Sequence, residues 1–150
     1  MTLQPAISRM SHLLDVVPGK IRGIDDTVLR RKPAADKWSK LEILGHLVDS
    51  AANNWQRFVR IQFEDNPDIA YNQNGWNEYS YYNRMDKEHI INLWQLINRH
   101  LLYIIMNIPE DKLDRTSTAN GQEGLTLRFL IIDYIAHMEH HLEQILDKNY

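Results

Sequence analysis

Apolar residues recur at helical spacing over four long stretches of the chain. Ile7, Met10, Leu13, Leu14 and Val17 predict a first helix from about Leu3 to Val17, ended by Pro18-Gly19. The next segment, Lys20 to Lys37, offers Ile21, Ile24, Val28 and Leu29 for a short helix at most, before a turn at Arg30-Arg31-Lys32-Pro33. Ser39 with Glu42 three positions later forms a capping box. The helix it opens carries Leu44, Leu47, Val48, Ala51, Trp55, Phe58 and Val59 on one stripe, and His46, Asp49, Ser50, Asn53 and Arg57 on the other. It ends before Asp65-Asn66-Pro67-Asp68. A third long helix, about Lys87 to Asn107, shows Ile90, Leu93, Trp94, Ile97, Leu101, Ile104 and Ile105 in phase and stops at Pro109. The fourth opens at Leu125 or Thr126 and runs nearly to Asn149, with Ile131, Ile135, Met138, Leu142 and Ile145 as its apolar stripe.

Two intervals lack a period. Ile69 to Arg84 is polar and aromatic, with Tyr71, Trp76, Tyr79, Tyr81 and Tyr82, and reads as an ordered loop whose rings need something to pack on. Glu110 to Glu123, containing Asn120-Gly121, reads as a second loop. With no internal repeat, the expected architecture is all-α: one antiparallel four-helix bundle forming a single domain over residues 1–150.

Composition narrows the chemistry. The 150 residues contain no cysteine, which excludes disulfide staples, thiolate metal sites, iron–sulfur clusters and a cysteine nucleophile. Any metal must sit on His, Asp or Glu. A formal charge of -3, with basic residues scattered rather than striped, argues against nucleic acid as a partner. No apolar run approaches the roughly 20 residues that span a bilayer, and the opening MTLQPAISRM has no signal-peptide core. The expectation is a cytoplasmic protein without membrane partners, acting on a small molecule.

The last helix concentrates the candidate chemistry in the string HMEHHLEQ. His137 and His141, four apart, stack on one helical face so that both can reach a single ion. Seven histidines in 150 residues give roughly 0.3 such pairs by chance, so spacing alone is a weak signal. Helical geometry places this pair at the edge of the apolar stripe and His140 on the opposite side. Two imidazoles do not complete a catalytic site, which commonly takes three protein ligands. His12, His46, His89, His100 and nearby acids are the candidates for the third. His46 has the best local context, with Asp49 and Asn53 near enough on the helix to orient an imidazole. The same wheel, however, turns His46 away from the apolar stripe toward solvent; a site on the bundle rim under the aromatic segment reconciles the two. Trp38 reads as a staple beside the Ser39 cap, and Arg57 and Arg60 as either solvated residues or holders of a substrate carboxylate.

The string Lys37-Trp38-Ser39-Lys40-Leu41-Glu42-Ile43-Leu44-Gly45-His46-Leu47, followed some ninety residues later by His137-Met138-Glu139-His140-His141, resembles the DinB/YfiT-like superfamily. There a Trp-Ser-x-x-Glu-x-x-x-His-Leu motif and a C-terminal His-x-x-x-His supply a three-histidine metal site. The resemblance implies His46, His137 and His141 as metal ligands, nickel or zinc as the ion, and a homodimer of four-helix bundles. It also implies one of two activities: thiol S-transfer using bacillithiol, mycothiol or glutathione as cosubstrate, or metal-dependent hydrolysis. Tyr71-Asn72-Gln73-Asn74-Gly75-Trp76 is similar to a stretch of the YfiT-like branch and favours the transferase group.

The reaction has an independent physical rationale. Three neutral imidazoles leave a divalent ion its full charge, which lowers the pKa of a coordinated water or thiol. A transferase without cysteine has to import its sulfur. A hydrolase would need a base, for which Asp49 is the candidate, with Glu139 and Glu143 behind it. A non-catalytic stress-response dimer, its metal closed off by a fourth protein ligand, is the third reading.

Overall fold

The computed structural model describes residues 2–148. Its elements, in order, are α1 (Gln4–Arg22), α2 (Asp26–Arg30), α3 (Lys40–Arg60), α4 (Gln73–Ser80), α5 (Lys87–Asn107), the strands β1 (Thr116–Ala119) and β2 (Gln122–Thr126), and α6 (Leu127–Leu146). The four long helices make a bundle in which α3 packs on α5 and α6, and α1 packs on the same two. Around the bundle the order is therefore α1, α5, α3, α6, so α1 and α3, successive long helices, lie across a diagonal.

Polar contacts fix the directions. Gln95 of α5 donates to the Leu14 carbonyl of α1, and Arg22 at the end of α1 meets Glu88 at the start of α5, so these two run antiparallel. Lys40 at the start of α3 donates to the Ile145 carbonyl near the end of α6, making a second antiparallel pair. Between α3 and α5 the chain crosses back to where α3 began: Asn77 of α4 donates to the Glu42 carbonyl, and Ser39 Oγ donates to Asn83. This crossover covers the N-terminal half of α3. It is the feature that positions the site.

One contiguous apolar core runs through the bundle, with Met10, Leu13, Ile21, Phe58, Trp94, Ile131 and Leu142 fully enclosed. The capping box at α3 is present in both directions, Glu42 N–H donating to Ser39 Oγ at 3.1 Å and Ser39 N–H to Glu42 Oε2 at 2.8 Å. No helix among the described residues is long and apolar enough to cross a membrane.

Four expectations need correction. α1 does not stop at Pro18-Gly19 but continues to Arg22. Pro18 and Ile21 are both buried, and that burial outweighs the roughly 3 kcal/mol cost of a proline inside a helix. The aromatic interval is not a loop: Asn72 caps α4 by accepting from Gly75 N–H at 3.0 Å, and a turn of 3-10 helix follows at Tyr82–Arg84. The interval 110–123 holds a 3-10 turn and most of a hairpin, with Asn120 and Gly121 both at positive φ (51° and 79°), the pattern of a type I′ turn. Finally, α6 ends at Leu146 with Asp147 in the left-handed region; Asn149 lies outside the described residues.

Candidate metal centre

His46, His137 and His141 converge, with one ligand atom from each lying within 4.8 Å of the others. His137 is the middle member: its Nε2 is 3.3 Å from His46 Nε2 and 3.1 Å from His141 Nε2. Two nitrogens held about 2.0–2.1 Å from one ion at 90–110° stand roughly 2.9–3.4 Å apart, so these spacings fit a shared divalent ion. Among the described residues no carboxylate joins the group. The other histidines proposed as third ligand, His12, His89 and His100, are exposed elsewhere.

Helical geometry explains the convergence. His137 and His141 sit one turn apart on α6, while His46 comes from antiparallel α3, ninety-one residues from His137. His46 is only 1% exposed, against the solvent-facing orientation that the helical wheel predicts. The wheel assumes one buried face, but α3 is covered by α5, α6, α2 and α4, and residues 44–51 are buried without a break. What looks like a solvent stripe is a buried polar seam of His46, Asp49, Ser50, Asn53, Asn54 and Arg57. Trp55, assigned to the core stripe, is instead 42% exposed and lies edge-on to His100. Trp38 does more than staple the cap: its ring centroid is 4.9 Å from that of His46, walling one side of the centre.

Burial, reinforced by the neighbouring His141 and His137, brings the His46 pKa down to about 3. Burial with His141 and His140 nearby brings His137 down to about 4, and burial likewise lowers His141. All three rings are therefore neutral at pH 7, with lone pairs to offer. Gln144 helps to set which nitrogen offers one: its Oε1 accepts from His141 Nδ1 at 2.9 Å, which directs the Nε2 lone pair to the centre. The anticipated support for His46 from Asp49 and Asn53 is not made. Asn53 donates to the Asp49 carbonyl, Asp49 Oδ1 accepts from the Tyr82 hydroxyl, and His46 Nδ1 and Asp49 Oδ2 are buried without partners among the described residues.

Asp49 has its own signature. Burial raises its pKa to about 6, only partly countered by the Tyr82 hydrogen bond. A folded-state pKa above the ordinary carboxyl value of 3.8 means the native chain favours the protonated form. That contribution is complete below the unfolded value and disappears as pH rises through about 6. Asp49→Asn is therefore expected to stabilise the protein by about 1–2 kcal/mol at pH 7.5 and to change little at pH 4. Urea unfolding at the two pH values tests this, and equal effects at both would contradict it. The metal-free histidines act with opposite sign, losing stability as pH falls from 6.5 toward 4 and 3, and comparison with the native chain cancels that slope.

Beside His137 opens a cavity of about 370 Å³, lined by Ser50, Asn54 and Arg57 of α3, Tyr71, and Asp133 and Tyr134 of α6 among others. The Tyr71 segment lies near the site as the sequence suggests, and of the two readings open for Arg57, solvated residue or holder of a substrate carboxylate, its burial removes the first. Its phase, eleven residues beyond His46 and hence on nearly the same face, was the available signal.

A helical bundle gathers three neutral imidazoles beside a polar cavity, a donor set suited to a divalent metal. The chain belongs to the DinB superfamily, whose family profile matches residues 9–145. Among curated proteins it is 23% identical over 123 residues to one from Halalkalibacterium halodurans named "Putative metal-dependent hydrolase BH0277", covering 81% of this chain and 71% of that protein. Among solved structures it is similar to YfiT from Bacillus subtilis, described as "a probable metal-dependent hydrolase with an unusual four-helix bundle topology". That match has a TM-score of 0.83 at 20% identity and covers 98% of this chain and 87% of the other.

Proposed function

We propose that the protein is a cytoplasmic enzyme in which His46, His137 and His141 hold nickel or zinc and a small thiol is activated for S-transfer to an electrophile. The observation that carries the metal centre is the cluster of three imidazoles, His137 Nε2 standing 3.3 Å from His46 Nε2 and 3.1 Å from His141 Nε2 and all three donors lying within 4.8 Å of one another, with no fourth protein ligand among the described residues. When bound, the ion would act as a Lewis acid toward whatever occupies its remaining positions.

The rest of the argument concerns the chain's own groups. Three neutral donors preserve the ion's charge, and the Trp38 ring packs beside His46. No carboxylate stands among the ligand atoms, and Asp49 is turned toward Tyr82. Glu139 pairs with Arg9. With no carboxylate among the ligand atoms, the reading favours a nucleophile that ionises readily: a thiol begins near pKa 8.5, water at 15.7. The absence of cysteine keeps the sulfur external and the polypeptide free of competing thiolates. Hydrolysis is the second reading, favoured by the names of the two relatives.

A panel of cysteine, glutathione, bacillithiol and mycothiol with a chromogenic electrophile separates the two. The expected result is metal-dependent turnover that requires a thiol and falls at least about tenfold in His141→Ala. Metal-dependent turnover without added thiol would replace transfer with hydrolysis.

A further inference from the structure

Arg57 is 6% exposed, and among the described residues no carboxylate lies within ion-pair distance of its guanidinium. Nε and Nη2 both donate to the Ile69 carbonyl, at 3.2 and 2.8 Å, and Nη1 donates to Asn54 Oδ1 at 3.4 Å. These are neutral acceptors. They use three of the five guanidinium N–H groups and leave the charge uncompensated. A buried cation is costly unless it is paired, and an amide side chain would reach the same carbonyl without that cost. Asp133, the acid whose charge reaches it, is exposed across the cavity beyond ion-pair distance.

The cation also faces something. Arg57 lines the same cavity as His137, together with Ser50, Asn54 and Tyr71, so the remaining N–H groups and the neighbouring polar side chains border one space that ends at the histidine cluster. Helical rise separates the Cα atoms of residues 46 and 57 by roughly 16 Å, the order of span a small substrate would bridge.

We propose that this cavity binds a carboxylate of the substrate, with Arg57 as its anchor, so that the enzyme takes small molecules bearing a carboxylate at one end and the reacting atom at the other. A planar fork of N–H donors matches a carboxylate in shape as well as charge. The proposal rests on the metal-dependent reading for the chemistry at the far end, but the anchor itself needs no metal. This separates the two in a test.

The experiment is an NMR titration of the metal-free and zinc-loaded protein with butyrate, and with butyramide as the uncharged control. The expected result is saturable butyrate binding in both forms, shifting the Arg57 side-chain Nε–H signal, with butyramide weaker by about tenfold or more. Arg57→Gln should weaken butyrate by a similar factor, and Asp133→Asn should tighten it severalfold by removing a like charge. Arg57→Lys, which keeps the charge and loses the fork, should fall between. Should Arg57→Gln fail to fold, Arg57→Lys and Asp133→Asn decide. Butyrate binding that requires zinc and ignores these substitutions would overturn the anchor while leaving the metal centre standing. Retained butyrate binding in a His137→Ala protein that has lost zinc would support the anchor even if the metal-dependent reading failed.

Discussion

Replacing His137 with alanine will abolish stoichiometric binding of nickel or zinc and leave the helical content of the protein nearly unchanged. His137 is the middle nitrogen, 3.3 Å from His46 and 3.1 Å from His141, so its removal leaves the two outer donors with nothing between them. Loss of a group that merely supports a ligand costs about 10–100-fold in affinity, and loss of the ligand itself exceeds that range. Stability changes little because His137 is only half-buried, at the flank of the α6 stripe. Plasma mass spectrometry after equilibration with each ion should find about one metal per native chain and none in His137→Ala or His46→Ala. Undiminished metal in either variant would dissolve the three-histidine site.

Gly45→Ala is expected to be the most damaging small substitution near the site. Alanine is a better helix former than glycine by about 1 kcal/mol, so propensity alone favours the change. Packing opposes it. A methyl at residue 45 would stand 2.1, 2.3 and 2.6 Å from three atoms of the Tyr82 ring. Tyr82 cannot swing aside, because it is 5% exposed and its hydroxyl is held by Asp49. Overpacking of this kind costs about 1–3 kcal/mol or more, and here the clash involves a ring fixed at both ends. A net loss of about 2 kcal/mol in chemical denaturation is expected, with weaker metal binding because His46 is the next residue. In a Tyr82→Ala background the clash is gone, and the same substitution should become stabilising by up to about 1 kcal/mol. Destabilisation that persists there would refute the packing account.

The sequence discloses the parts whose signals are local. The α3 capping box, the in-phase apolar residues of α5 and α6 and the His137/His141 spacing all lie within one helix turn or repeat it. The bundle and the His137/His141 pair follow from them, whereas His46 enters only through the resemblance of its string to the family motif. What stayed hidden depends on neighbours distant along the chain. His46 reads as solvent-facing because a helical wheel knows one partner surface, whereas α3 is enclosed on several sides. The solvated alternative for Arg57 fails for the same reason. α4 was obscured by its length of 8 residues, too short for periodicity to show, and the hairpin by mistaking Asn120-Gly121 for loop punctuation when it marks a primed turn. The support expected for His46 from Asp49 fails because Tyr82, arriving from the crossover, takes that carboxyl first.

The cluster draws two histidines from α6 and one from α3, ninety-one residues from His137. In an unfolded chain the pair on α6 survives as neighbours in sequence, but the third donor is lost to chain entropy. A metal held by all three would therefore favour the folded state by mass action, by about 4 kcal/mol when its concentration is a thousand times the dissociation constant. The converse also holds. Affinity for such an ion would then measure how firmly α3 and α6 are held in register, and damage along their seam is expected to surface as metal loss before any helix melts.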